Sequence, residues 1–222
     1  MTERRGLFIS FEGTEGSGKT TQMLLLVDRL RGLGYTVVEN QEPGATRIGN
    51  QIRRILLDPA HEEMAPMTEL LLMFASRAQA AAEIIQPALR RGAIVVSDRF
   101  TDSSLAYQGA ARHLGFETVL EAHRLALDSL FPDLTICLTL DIEFALARAH
   151  RRNQRACSDI SETRLDRQSL EFHRRVEEGY RRISTLEPER VRLIDGHGQP
   201  GDVSKRIWEQ ICPLLPPVPL RQ

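Results

Sequence analysis

A parallel α/β sheet of five strands with helices on both faces is the fold class this sequence predicts, and three observations predict it. Five short apolar runs recur along the chain, each separated from the next by helical periodicity. A glycine-rich loop follows the first run directly. No linker or internal repeat divides the 222 residues, so 1–212 reads as a single domain with a proline-rich tail at 213–222. Apolar residues at 41% and charged residues at 27% give the balance of a globular protein, which excludes disordered and fibrous classes.

Each element has its own signal. Leu7 to Phe11 is a buried strand that runs into the glycine-rich loop. Met23, Leu24, Val27 and Leu30 then recur at helical spacing, and Gly32 with Gly34 stops that helix. Tyr35 to Val38 is a second β-branched run. Ile48, Ile52, Ile55 and Leu56 mark a helix that ends before Pro59. A long helix follows from about Met67 to Leu89, with Leu70, Leu71, Phe74, Ala78, Ala81 and Ile85 on its apolar side and Pro87 in its last turn. Ala93 to Val96 is the third strand, ending at Ser97-Asp98-Arg99. Helical segments surround Leu105 and run from Glu117 to Leu130. Leu134 to Leu140 is the fourth strand and ends at Asp141. Phe144 to His150 starts a helix that enters an Arg-rich stretch, and another helix runs from about Gln168 to Thr185. Val191 to Ile194 is the fifth strand, and Val203 to Ile211 the last helix.

Charge and cysteine usage narrow the function classes. Basic residues number 29 and acidic residues 30, a balance that argues against a nucleic-acid binder. No apolar run approaches the ~20 residues of a membrane span. Met1 to Gly6 is polar and leads straight into the first strand, so no signal peptide is expected. Cys137, Cys157 and Cys212 show neither metal-ligand spacing nor a disulfide framework, which suits the cytoplasm. The six histidines show no metal or triad spacing.

Ligands of such sheets bind outside the carboxyl ends of the strands. There Gly13-Thr14-Glu15-Gly16-Ser17-Gly18-Lys19-Thr20 fits G-x-x-x-x-G-K-[ST], after a strand and opening a helix. Its glycines let backbone N–H groups turn around phosphate oxygens, and the helix N-terminus adds a favourable dipole. Lys19 would neutralise β/γ-phosphate charge, and Thr20 would place a hydroxyl on Mg²⁺. Lys19 is one of only two lysines in the chain; the other cationic side chains are arginines. That suits a role needing a compact ammonium on a flexible stem. Asp98 and Asp141 both end apolar strands. Arg99 beside Asp98 could grip the phosphate of a second substrate, so Asp98 is assigned the metal role and Asp141 a helix cap. Arg151, Arg152, Arg155, Arg164 and Arg167 lie close together, either as a solvated face or as a lid at about 150–167 that supplies arginines to the transferring phosphoryl group. No Asn-Lys-x-Asp motif occurs, which counts against a GTPase.

The whole pattern resembles the bacterial thymidylate kinases, nucleoside monophosphate kinases of the P-loop NTPase type. Phe11 to Gln22 is the family's style of phosphate loop, and Glu42-Pro43-Gly44-Ala45-Thr46 is similar to its Arg-Glu-Pro-Gly-Gly-Thr loop. Asp98-Arg99-Phe100 with Ser103-Ser104-Leu105-Ala106-Tyr107-Gln108-Gly109 resembles its Asp-Arg and Ala-Tyr-Gln-Gly signature. Arg164-Leu165-Asp166 through Phe172-His173 and Gly179-Tyr180 matches the lid and the helix after it. The resemblance implies phosphorylation of dTMP to dTDP with ATP and Mg²⁺, in dTTP biosynthesis, by a homodimer. It implies that Glu15 meets the deoxyribose 3′-hydroxyl, that Arg99 and Arg53 hold the dTMP phosphate, and that Arg77 reaches the thymine edge. Tyr107 would lie under the sugar and exclude a 2′-hydroxyl, Gln108 would lie near the base, and Phe74 would contact it. Bacterial members draw a catalytic Arg from the lid, for which Arg155 and Arg164 are the candidates. Gln41, Ala45 and Met73 depart from the family pattern, standing where it has Arg, Gly and a base-stacking aromatic. A kinase for another nucleotide or a deoxynucleoside, and a catalytically weak nucleotide-binding regulatory module, are the alternative readings.

Overall fold

The structure is a computed structural model that describes residues 6–155, 164, 165 and 167–217, with 150 and 152–155 in backbone alone. Five parallel strands form its sheet: β1 (Phe8–Gly13), β2 (Val37–Gln41), β3 (Ile94–Asp98), β4 (Leu134–Thr139) and β5 (Val191–Asp195), in the order β2-β3-β1-β4-β5. From central β1 the chain goes out to one side through β2 and β3 and to the other through β4 and β5. The crevice at the carboxyl end of β1 is therefore the switch point where such sheets bind ligands.

Both faces of the sheet are covered, which is why the strands read as continuous apolar runs rather than alternating ones. Phe8, Val95, Cys137 and Val191 face one apolar layer, shared with α3 (Pro66–Ala80), α6 (Phe116–Leu127) and α8 (Leu170–Leu186). Ile9, Phe11, Ile94, Val96, Ile136 and Leu138 face the other, shared with α1 (Lys19–Gly32) and α9 (Pro200–Ile211).

Three of the strands extend further than the apolar runs predict. β1 includes buried Glu12, β2 runs from Val37 to Gln41, and β3 continues through Ser97 to Asp98. Their carboxyl ends carry polar residues because those residues find partners across the ladder. Asn40 Nδ2 donates to Ser97 Oγ at 2.8 Å, and Phe11 pairs in register with Asp98. A buried polar group paired in this way costs little, so the strand need not stop where hydrophobicity does.

The remaining helices are α2 (Arg47–Leu57), α4 (Gln86–Arg90), α5 (Thr101–Ser104) and α7 (Ile142–Arg155). The long predicted helix is three consecutive pieces: α3, a π-turn at Ala81–Ile85, and α4. Pro87 has no N–H for the preceding turn, and a π-turn is one of the ways a helix absorbs that loss. A second π segment, Leu105–Ala111, continues α5 and packs against α8. The contact is close enough that a Cβ at Gly179 would stand 3.0 Å from Ala106 Cα and 3.1 Å from Ala110 Cβ.

Candidate active site

One side of the crevice is built by the local chain. Gly13, Gly16 and Gly18 have φ of 130°, 75° and 101°, values that L side chains rarely adopt. A Cβ at Gly13 would come 2.5 Å from the Leu138 carbonyl oxygen, so β4 presses directly on the loop. Thr14, Ser17 and Lys19 are buried, and Thr20 is exposed at the start of α1. Lys19 Nζ donates to the carbonyls of Gly13 at 3.0 Å and Thr14 at 2.8 Å, which folds the ammonium over the loop. Burial lowers the Lys19 pKa, with Arg99 adding to the effect, while Glu15, Asp98 and Glu12 oppose it. Ser17 Oγ is buried with no hydrogen-bond partner among the described residues. An unsatisfied hydroxyl beside an inward-facing ammonium is what a loop made to meet phosphate oxygens presents.

The facing side is built by residues distant in sequence. Arg99 follows β3 with φ 73° and its N–H on the Phe11 carbonyl at 3.0 Å, which turns its side chain across the end of the sheet. Its guanidinium donates to Gly13 O at 3.2 Å, Ser103 Oγ at 3.0 Å, and Tyr180 Oη and Tyr107 Oη, each at 3.4 Å. It also pairs with Glu15 Oε1 at 2.5 Å. Arg99 thus bridges the phosphate loop and the Tyr107 wall. Tyr107 lies under it, with the guanidinium carbon 5.1 Å from the ring centroid.

Beneath Arg99 sits Glu12, which is fully buried. It accepts from Phe100 N at 2.7 Å, Ser103 Oγ at 2.5 Å and Tyr180 Oη at 2.9 Å. Burial, then the charge of Asp102, pushes its pKa up to about 7, against the pull of Arg99, Ser103 and the Phe100 N–H. Ser103 and Tyr180 therefore relay between Glu12 and Arg99. The segment after Arg99 is anchored at Asp102, which pairs with Arg190 at 2.6 Å and accepts from Thr135 Oγ1 at 2.7 Å.

Arg77 is buried against Glu42, with Nε on Oε2 at 2.5 Å. It also donates to Ser104 Oγ and the Phe100 carbonyl, both at 3.1 Å. Phe74 belongs to the apolar layer, its ring edge-on to His123 and beside the Arg77 guanidinium. Met73 is buried on the row of α3 that joins Glu69 to Arg77 at i, i+4 spacing. That row faces the 104–108 segment, since Arg77 bonds Ser104 and Glu69 bonds Gln108. Arg53 donates to the Pro43 carbonyl at 2.7 Å and feels the charges of Asp98, Glu15 and Arg99, which places it at the same crevice.

Asp141 accepts the Phe144 N–H at 3.0 Å, as expected of a helix cap, and Asp98 stands at the crevice instead. Two oxygen donors at hand, the exposed Thr20 hydroxyl and the half-buried Asp98 carboxylate, suit a hard cation such as Mg²⁺ held largely by water and substrate.

Arg164 is placed apart from the phosphate loop: its side chain is 2% exposed and paired with Glu69. Nε donates to the Leu56 carbonyl at 3.2 Å, and Nη2 to Glu69 Oε2 at 2.5 Å. A guanidinium in a buried pair of this quality is expensive to release. The Arg155 side chain, and most of the predicted lid, lie outside the described residues.

Sequence reasoning missed Glu12, Glu42, Glu69 and Asp102, the acids that hold the named residues in place. Two signals were available. Glu12 extends an apolar buried strand, and Glu69 sits one and two turns before Met73 and Arg77 on an inward-facing row of α3.

A phosphate loop at the end of the central strand, faced across the switch point by an arginine held on tyrosines and a buried acid, defines a P-loop kinase with a small anionic acceptor. The comparisons specify which. A family model described as thymidylate kinase matches residues 11–207. A thymidylate kinase of Pelobacter propionicus is 48% identical over 206 residues, covering 93% of this chain and 94% of the relative. One from a Synechococcus strain is 44% identical over 212 residues, covering 95% and 96%. A crystal structure of thymidylate kinase from Ehrlichia chaffeensis superposes with a TM-score of 0.74 at 28% identity, covering 94% of this chain and 99% of that one. The chain belongs to the thymidylate kinase family, whose enzymes phosphorylate dTMP.

Proposed function

We propose that this chain transfers the γ-phosphoryl group of ATP to dTMP, with Gly13 to Thr20 holding ATP and Arg99, Arg53, Arg77, Tyr107 and Gln108 holding dTMP. The bridging position of Arg99, bonded at once to Gly13 O and Glu15, is the observation that carries this reading. An incoming dTMP phosphate would take over the Arg99 guanidinium from Glu15. The released Glu15 carboxylate would then accept from the deoxyribose 3′-hydroxyl. Lys19 leaves its two carbonyl partners for the transferring phosphate, where its charge stabilises the equatorial oxygens. Catalysis is positioning and charge neutralisation, with no covalent intermediate on the protein.

Thr20 and Asp98 would hold Mg²⁺, which when bound neutralises phosphate charge. The phosphate loop offers no cation beyond Lys19, so Arg155 is proposed as the further catalytic arginine. Arg164, buried on Glu69, acts as a positioning residue instead. At the base, the α3 row favours Met73 over Phe74 as the contact, since Phe74 is packed in the core. The chain is proposed to work in the cytoplasm as a homodimer, on one continuous domain. Met67 and Leu71 on α3, with Ile48 and Ile55 on α2, are exposed apolar side chains that support pairing through these helices. No helix among the described residues is long and apolar enough to cross a membrane.

A coupled ADP-release assay across dTMP, dUMP, dCMP, dAMP and dGMP tests the reading. It expects dTMP to be used with the highest kcat/KM. A preference for any other acceptor would overturn it.

A further inference from the structure

Glu69 is fully buried, yet it is the meeting point of three chain segments: α3, the 105–112 stretch and Arg164. Oε1 accepts from Gln108 Nε2 at 2.7 Å and from Arg112 Nε at 3.4 Å, and Oε2 accepts from Arg112 Nη2 at 3.2 Å and Arg164 Nη2 at 2.5 Å. Two guanidiniums facing one carboxylate stabilise its charge, and an ionised carboxylate only accepts hydrogen bonds. The Gln108 amide therefore has no choice of orientation. Its NH₂ must face Glu69, and its carbonyl oxygen is turned the other way. A lone glutamine beside a base is ambiguous, because it can rotate by 180° and exchange donor for acceptor. Glu69 removes that ambiguity.

We infer that Glu69 is a specificity-positioning residue: it locks the Gln108 amide so that an acceptor, never a donor, faces the pyrimidine. Thymine and uracil carry an N–H at N3 that meets such an acceptor. Cytosine carries a lone pair at N3 and is repelled. The inference rests on the proposed placement of Gln108 beside the base and adds the reason why that residue discriminates. Arg112 and Arg164 act one step further out, by pairing with the carboxylate and fixing its orientation.

Glu69→Gln is the decisive variant. Its carbonyl oxygen would stay on the Oε2 side, where Arg164 Nη2 and Arg112 Nη2 make the two shorter arginine contacts, so its NH₂ would replace Oε1 opposite Gln108 and give up only the 3.4 Å contact with Arg112 Nε. Gln108 must then rotate and present its own NH₂ to the base. Steady-state kcat/KM for dTMP and dCMP is measured for wild type, E69Q and Gln108→Met, with ATP affinity and circular dichroism as checks on folding. The inference expects the dTMP-to-dCMP preference of E69Q to fall at least about tenfold, with kcat/KM for dCMP rising in absolute terms. A general loss of stability would lower both substrates together. A preference unchanged in E69Q but lost in Q108M overturns the role of Glu69 while keeping Gln108 at the base. A preference unchanged in both variants overturns the placement of Gln108 as well. If E69Q does not fold, the exchange E69Q/Q108E serves, since it restores an acceptor-only group at position 108. It is expected to keep the wild-type preference, and losing it would overturn the inference.

Discussion

The two walls of the crevice are made in opposite ways. The donor wall is eight consecutive residues, Gly13 to Thr20, whose conformation is set by positive-φ glycines and whose ammonium bonds its own loop five and six residues back. The acceptor wall is side chains joined over long stretches of sequence: Tyr180 to Glu12 across 168 positions, Arg164 to Glu69 across 95, Arg77 to Glu42 across 35. The donor wall leaves Ser17 unpartnered among the described residues, whereas Glu12 and Glu69 in the acceptor wall each gather several donors. The contrast teaches that a general phosphate grip can be local and repeated in many proteins. Recognition of one particular acceptor needs rigidity that only the tertiary fold supplies.

The sharpest way to break the comparison is to remove one cation from each wall. Lys19→Ala is expected to lower kcat by two or more orders of magnitude, roughly 3 kcal/mol or more in the transition state. dTMP affinity by isothermal titration should stay near wild type. Arg99→Ala is expected to lose dTMP binding and keep ATP binding. Reversal of the two titrations would mean that the walls are assigned the wrong way round.

Arg164, held in the acceptor wall by Glu69, and Arg155, proposed for the transferring phosphoryl group, sharpen the comparison. Breaking the buried Glu69 pair in Arg164→Met should cost roughly 3 kcal/mol and lower Tm by roughly 6–10 °C. Arg155→Ala should leave Tm alone and reduce turnover. Differential scanning calorimetry with single-turnover kinetics separates the two, and an Arg164→Met enzyme of unchanged Tm would contradict the buried pairing.

Glu12 carries the pH dependence of the acceptor wall. Its folded pKa of about 7 lies above the ordinary 4.5, so the native state keeps a proton that the unfolded chain has released. Its favourable contribution is complete below pH 4.5 and is lost as pH rises through 7, a change of about 3 kcal/mol. The ionised form is also the one that takes both hydroxyl protons of Ser103 and Tyr180, leaving their lone pairs to Arg99. Chemical denaturation at pH 5 and 8 should therefore show Glu12→Gln losing the pH-dependent drop. The dTMP kcat/KM of wild type should rise through pH 7, and that inflection should vanish in E12Q.

The smallest effect lies in the loop after β2. Ala45 sits at φ 65°, where the resemblance sets a glycine. Relief of that strain offsets the extra freedom glycine gives the unfolded chain, so Ala45→Gly should stabilise by about 0.5–1 kcal/mol in urea titration. A destabilised variant would show that Ala45 is not strained.

The difference between the walls also explains what the sequence made legible. Five parallel strands, their order of appearance and the phosphate loop could be read directly, because each is encoded within a few neighbouring residues. Asp98 and Arg99 could be located at a strand end, but Tyr107, Gln108 and Arg77 were named only through resemblance. Their supports escaped, because a carboxylate such as Glu69 looks like any helical acid until Gln108, Arg112 and Arg164 are brought round it. The pairing of Arg164 escaped for the same reason: an Arg-rich run shows charge, not which arginine a buried acid will claim.

Gly179 gives the acceptor wall one more property. Where α8 meets the Leu105–Ala111 segment, the Gly179 backbone lies against the Ala106 main chain and the Ala106 and Ala110 methyl groups. A gap filled by side chains widens or narrows whenever a rotamer changes or a methyl group is gained. A gap closed by backbone against alanine methyl groups, which have no rotamers to change, is a fixed stop. Tyr107 and Gln108 project from that stop, so the depth of the nucleotide pocket is a hard dimension of the fold, and mutation can tune only the tips of the side chains that reach into it.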